Sequence, residues 1–253
     1  MTTWVLLRGL MREARHWGEF AHQFQCGMGV SQVVTLDFPG NGSLHAQPSN
    51  SSVEEMANYC HDQLRLSGHA PPYKVLALSL GAMVAVEWCR QHPEEIERMV
   101  LINTSLAPHN PFYHRLRPVN YPALARFLIA GGADRREQLI LRLTSNKKRT
   151  PEQRAQLLAQ WVGYAKDSPI TRTSILSQLY AAIRYRAAPG APRVPTLLLA
   201  SLQDRLVSVQ CSYTLAKRWG CAIRSHDSAG HDLPLDDGAW VTEQVRQWVV
   251  AVK

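Results

Sequence analysis

The sequence lacks any run of about 20 apolar residues that could cross a membrane as a helix, although its 253 residues are 45% hydrophobic. It also reads as lacking a secretory leader: MTTWVLLRGLMREAR passes from a short apolar segment straight into charge, and no basic region precedes that segment. Cysteine is scarce and unpatterned. Cys26, Cys60, Cys89, Cys211 and Cys221 are odd in number and without CxxC spacing, which argues against a disulfide framework and a zinc motif; we read them as reduced core residues of a cytoplasmic protein. Glycine and proline, at 15 each, are near average, and no repeat or biased tract points to a disordered, collagen-like or solenoid chain. What remains fits one globular domain, or one domain with a large insertion.

Acidic residues are short in one segment only. Residues 106–190 carry 14 Lys and Arg against 4 Asp and Glu, whereas the rest of the chain carries 14 against 16. The formal net charge of +8 therefore comes from one stretch.

Apolar runs of strand length alternate with helical patterns, the signature of a parallel sheet covered by helices on both faces. Strands are expected at Thr3–Leu7, Ser31–Asp37, Tyr73–Leu78, Arg98–Asn103, Thr196–Ala200 and 222–226, and helices at 15–27, 52–66, 80–91, 209–219 and 238–251. Ser51 with Glu54, or Ser52 with Glu55, reads as a capping box for the second helix. Between 106 and 190 the alternation stops, leaving helical patterns near 120–130, 134–144, 151–166 and 170–185. The expected fold class is α/β, a mostly parallel sheet of about six strands, with residues 1–105 and 191–253 forming the core and 106–190 a helical insertion.

The strand ending at Leu78 runs through Ser79 into an apolar helix, and Ala77-Leu78-Ser79-Leu80-Gly81 matches the nucleophile elbow G-x-S-x-G with Ala in the first small position. A sharp strand-to-helix turn needs small residues on either side of its serine, and the helix start offers the Leu80 N–H to a developing oxyanion. A serine between a strand and a helix is ordinarily an N-cap; the flanking small residues favour the nucleophile. Its base and orienting acid have candidates in the required order, Asp204 in SLQDRLVS and then His231 in SAGHDLPLDD. Asp227, Asp232, Asp236 and Asp237 are rival acids, read as solvated or helix-capping residues. The other histidines, His16, His109 and His226 among them, lack metal-ligand spacing and are read as surface or core residues, so no metal is expected. Asn41 and Ser43 lie in a Gly-rich loop without a phosphate-binding pattern.

These motifs together resemble the α/β-hydrolase family. The resemblance extends to LLRGL at 6–10, similar to the family's strand-then-HG segment, and to DFPGNGS at 37–43. It implies Ser79 as nucleophile, His231 as general base and acid, Asp204 as orienting acid, and the backbone N–H groups of Leu10 and Leu80 as the oxyanion hole. It implies no cofactor. Arg8 stands where the family has His, and the family's two leading strands are expected to be absent.

In the family a helical insertion here caps the serine. Its aromatics, including Phe112, Tyr113, Phe127 and Trp161, could wall an apolar pocket, and His16 and Trp17 follow the oxyanion loop; of these, His16, Trp17, Phe112, Tyr113 and Trp161 are the substrate-binding candidates. The expected activity is hydrolysis of carboxylic esters on a small-molecule ester or acyl substrate. The chain is also similar to pimeloyl carrier-protein methyl ester esterases in length, elbow and basic cap, which makes coenzyme A or an acyl carrier protein a candidate partner. Nucleic acid is not expected, because no base-reading motif accompanies the charge. A ligand-binding protein without turnover is the reading from a different class.

Overall fold

The computed structural model describes residues 3–129 and 132–252, without the side chains of 127–129; Phe127 thus lies outside the described side chains. In chain order the elements are β1 (Thr3–Leu7), α1 (Phe20–Met28), β2 (Val33–Leu36), α2 (Val53–Leu66), β3 (Tyr73–Leu78), α3 (Leu80–Gln91) and β4 (Ile96–Ile102). Five helices follow, α4 (Phe112–Arg115), α5 (Tyr121–Ile129), α6 (Ala133–Thr144), α7 (Pro151–Asp167) and α8 (Arg172–Arg184). The chain closes with β5 (Thr196–Ser201), α9 (Gln210–Trp219), β6 (Ala222–His226) and α10 (Leu233–Ala251).

The six strands form one parallel sheet in the order β2-β1-β3-β4-β5-β6. Because side chains alternate faces along a strand, Val5, Val75, Met99 and Leu198 meet α2, α3 and α9 on one side. Their neighbours Leu6, Leu76, Val100 and Leu197 meet α1 and α10 on the other. Both faces are covered, which is why the strands read as continuous apolar runs. The chain winds outward from β1 to β2 and then reverses to β3. The carboxyl ends of β1 and β3 therefore flank the point where strand order switches, the place where open α/β sheets form crevices.

Local chemistry explains where expectation and structure part. The helix expected over 15–27 is a 3-10 turn at Ala14–Trp17 followed by α1, because Gly18, at φ +51°, breaks it. Ser52 caps α2 by accepting from the Glu55 N–H, while the Glu55 carboxylate reaches back to the Ser51 N–H instead of that of Ser52. The last helix begins five residues earlier than expected and is broken at Asp237, whose carboxylate accepts from the Trp240 N–H. Helix α4, a single turn after Pro111, went unread. Cys26 is exposed and is not a core residue, while Cys221 is half-buried and packs against the core. Asp227 is exposed as expected, but Asp232 is buried.

Candidate active site

Three non-glycine residues among those described have positive φ, Met11 at 58°, Ser79 at 55° and Asn103 at 47°. Each follows one of the three adjacent strands β1, β3 and β4 at its carboxyl end. Such conformations cost on the order of 1–3 kcal/mol and persist only where the surroundings impose them. At Ser79 the imposition is visible: its N–H donates to the Ile102 carbonyl at 3.0 Å, Ala77 is fully buried, and a Cβ on Gly81 would come within 2.6 Å of the carbonyl oxygens of Leu7 and Arg8. Glycine at 81 is thus a steric requirement of the turn, as the motif predicted.

Leu80 opens α3, so its N–H has no intrahelical acceptor. The loop after β1 is fixed from outside. The Met11 N–H donates to Gln178 Oε1 at 3.0 Å, Gln178 Nε2 donates to Asn41 Oδ1 at 2.9 Å, and Asn41 Nδ2 donates to the Arg12 carbonyl at 3.2 Å. Gln178 and Asn41 are both buried. This chain of amides spans α8, the DFPGNGS loop and the loop after β1, and leaves Leu10 beside Ser79 on the wall of the same cavity.

His231 and Asp204 meet as the sequence order predicts, with His231 Nδ1 2.7 Å from Asp204 Oδ2. The other carboxylate oxygen of Asp204 accepts from the Leu206 and Val207 N–H groups at 2.8 and 3.0 Å, which holds the acid by its own turn. Burial opposes a charge on His231, but the Asp204 carboxylate outweighs it, and Asp232 adds to the effect, so the imidazole pKa is raised above its usual 6.5. Asn103, unread in the sequence, supports this pair. Its Nδ2 donates to the His231 carbonyl at 2.8 Å and to Ser201 Oγ at 3.0 Å, and its Oδ1 accepts from the Ser201 N–H at 2.8 Å.

Arg8 and Asp232 form a second buried pair beside His231, bidentate at 2.5 and 3.1 Å, with the guanidinium 4.6 Å from the Trp17 ring centre. This corrects the reading of Asp232 as a solvated residue or a side-chain cap: it stands at the N-cap position of α10, but its carboxylate accepts from Arg8 and caps nothing. Arg12 donates to Glu137 at 2.6 Å and lies over Trp161 at 4.5 Å. His16 packs edge-on against Trp161 and Tyr164, and burial, with the charges of Arg12 and Arg8, pushes its pKa well below 6.5.

Two cavities meet at Ser79, sharing Leu10, Ser79 and Val207. The smaller, about 140 Å³, includes Arg8, Arg12, His231 and apolar residues of α6. The larger, about 360 Å³, includes Leu80, Met83, Phe112, Tyr121, Leu179 and Ile183. Of the substrate-binding candidates, Phe112 reaches the larger cavity. Tyr113, His16, Trp17 and Trp161 line neither; the last three buttress Arg8 and Arg12 from behind.

The profile of the α/β hydrolase fold family matches residues 21–238. The chain belongs to the α/β-hydrolase family. A curated relative in Yersinia enterocolitica, named "Putative carbamate hydrolase RutD", is 28% identical over 222 residues, covering 85% of this chain and 75% of its own. Among solved structures, a thermophilic esterase from Thermogutta terrifontis superposes with a TM-score of 0.78 at 17% identity, covering 100% of this chain and 90% of that one. An enol-lactonase from Burkholderia xenovorans LB400 gives 0.78 at 19%, covering 98% and 91%. This α/β hydrolase contains no helix, among the described residues, long and apolar enough to cross a membrane.

Proposed function

We propose that this α/β hydrolase cleaves carboxylic esters through an acyl-enzyme formed on Ser79. The observation that carries the reading is the 2.7 Å His231–Asp204 contact on the wall of the cavity that also holds the strained Ser79. In the reaction, Ser79 Oγ attacks the acyl carbon while His231 takes its proton, and Asp204 holds the imidazole in the orientation this requires. The Leu10 and Leu80 amides receive the charge that develops on the carbonyl oxygen. His231 then protonates the leaving alcohol, and water enters by the same route to release the acid and regenerate the serine.

The two cavities give this mechanism a direction. The leaving group must depart past the group that protonates it, and His231 borders the smaller cavity; the acyl group then occupies the larger one, beside Leu80. Residues 106–190 act as the cap, since α5 contributes to both cavities, α6 walls the smaller and α8 the larger. A small alcohol on a longer apolar acyl chain is the substrate shape that fits. The carbamate named for the Yersinia relative differs by one heteroatom next to the carbonyl and would use the same steps.

A second reading, thioester or methyl ester cleavage on an acyl group carried by coenzyme A or an acyl carrier protein, is favoured by one surface feature. Arg142, Lys147, Arg149, Arg154 and Arg205 surround a small cavity on the far side of α6 from Ser79. A carrier held there would lose kcat/KM steeply as salt rises, and a neutral ester would not.

The test is hydrolysis of p-nitrophenyl esters of increasing acyl length by wild type and Ser79→Ala. Turnover that falls at least about 10³-fold in the variant supports the serine mechanism. An inactive wild type on every ester removes simple ester hydrolysis, and carrier-bound acyl groups or ligand binding without turnover then lead.

A further inference from the structure

At the amino ends of the strands, on the opposite edge of the sheet from Ser79, three side chains with metal-binding atoms converge. His61 comes from the second half of α2, His92 caps the end of α3, and Glu95 lies just before β4. Their donor atoms lie within 4.8 Å of one another. The two imidazoles are stacked, centres 4.1 Å apart and planes 7° from parallel.

The cluster has a fixed member and an unspent one. Glu95 is buried and held by one oxygen, Oε2, which accepts from Trp88 Nε1 at 2.8 Å. That bond leaves Oε1 facing His61 Nδ1 at 2.8 Å. Nδ1 is itself buried and lacks a hydrogen bond of usable geometry. A carboxylate oriented by an indole N–H from behind, with imidazole nitrogens in front, is the outer-shell arrangement that steers a ligand toward a metal.

We propose that His61, His92 and Glu95 bind one divalent transition-metal cation of the zinc class. The donor set selects that class. Two imidazoles and one carboxylate suit a tetrahedral or near-tetrahedral ion with N and O bonds of about 2.0–2.2 Å, and water supplies the fourth position. Calcium and magnesium favour all-oxygen shells, whereas two of the three donors here are imidazole nitrogens. Such bond lengths set tetrahedral ligand atoms about 3.3 Å apart, so His61 Nδ1 and Glu95 Oε1, now 2.8 Å apart, would part slightly to admit the ion while the partly exposed His92 ring turns toward it. The ion would tie α2, α3 and the start of β4 together at the edge that holds none of the Ser79 machinery.

The experiment uses the full-length chain, stripped of metal, in a Cys26→Ser background, because the exposed Cys26 and His22 lie 3.6 Å apart and are a rival site. Zinc chloride is titrated by calorimetry, and cobalt(II) chloride by absorption. One equivalent per chain is expected, with a tetrahedral cobalt spectrum and a Tm that rises with metal concentration. Each of His92→Ala and Glu95→Gln should weaken binding at least about 100-fold, beyond the usual loss for an outer-shell change. Glu95→Gln keeps an acceptor for Trp88, and near-ultraviolet circular dichroism without metal checks that both variants are folded. Absence of stoichiometric binding in the parent, or parent-like affinity in the two folded variants, overturns the proposal and leaves His61 and Glu95 as a plain ion pair.

Discussion

The two edges of the sheet are built by different means. At the carboxyl edge, Met11, Ser79 and Asn103 hold left-handed backbone after adjacent strands, and four buried charged or titratable side chains are paired two by two. At the amino edge, His61, His92 and Glu95 gather from helix and loop positions without strained backbone. Strain is concentrated at the edge that carries Ser79, the proposed nucleophile, and the sheet's hydrogen bonding holds it there. The amino edge shows that side chains can also be assembled without it.

The difference can be broken first at Ser79. Its alanine variant should lose at least about 10³-fold in ester hydrolysis while keeping the wild-type Tm within a few degrees. The next largest effect is expected at the buried arginine pair: Arg8→Met strands Asp232 in the interior and should cost about 3–5 kcal/mol in denaturant unfolding. The double variant Arg8→Met with Asp232→Leu should recover most of that loss. Asn103→Ala removes bonds to the backbone of the His231 loop, and its kcat/KM should fall about 10- to 100-fold, the kinetic equivalent of the 1–3 kcal/mol left by unsatisfied partners. A drop in kcat with little change in KM distinguishes this positioning role from lost binding.

A smaller effect concerns pH. The proposed general base, His231, must be neutral to act, and its pKa is raised above 6.5, so the acid limb of kcat/KM should have its midpoint above 6.5. The same shift gives stability of the opposite sign: the protonated form is favoured by folding, so this contribution is complete below the unfolded pKa and lost as pH rises through the folded value. Activity and this part of stability should therefore trade places across that window, in pH–rate profiles and pH-dependent unfolding respectively. The smallest expected effect is at Phe112, which is largely exposed but borders the larger cavity. Phe112→Ala should move the acyl-length optimum with less than about a tenfold change at any one length.

The same contrast explains what could be read in the sequence. Ser79 and Asp204 each follow an apolar strand closely, so the run that marks the strand also marks the residue, whereas His231 follows the short, mixed strand AIRSH and is found by its place after Asp204; small residues at 77 and 81 record the steric demand of the turn. Arg8–Asp232, separated by 224 positions, and the Gln178–Asn41 link, separated by 137, leave no local pattern; long-range packing alone creates them. His16 and Trp17 were singled out for following the loop after β1 and Trp161 as a pocket-walling aromatic of the insertion, yet all three rings turn toward the guanidinium groups of Arg8 and Arg12. His61 and His92 are 31 residues apart on different helices, a distance at which no spacing rule for metal ligands applies.

One set of contacts has a dynamic consequence. The Thr144 carbonyl accepts from the Asp232 N–H at 2.7 Å, the Asn146 and Gly230 N–H groups share Asp236 at 2.7 Å each, and a Cβ on Gly230 would collide with Thr144. The end of α6 is thus stitched to the segment that carries His231. If the insertion lifted at that end, the imidazole would be dragged with it, so the proposed base would be engaged, like a clutch, only while α6 stays docked.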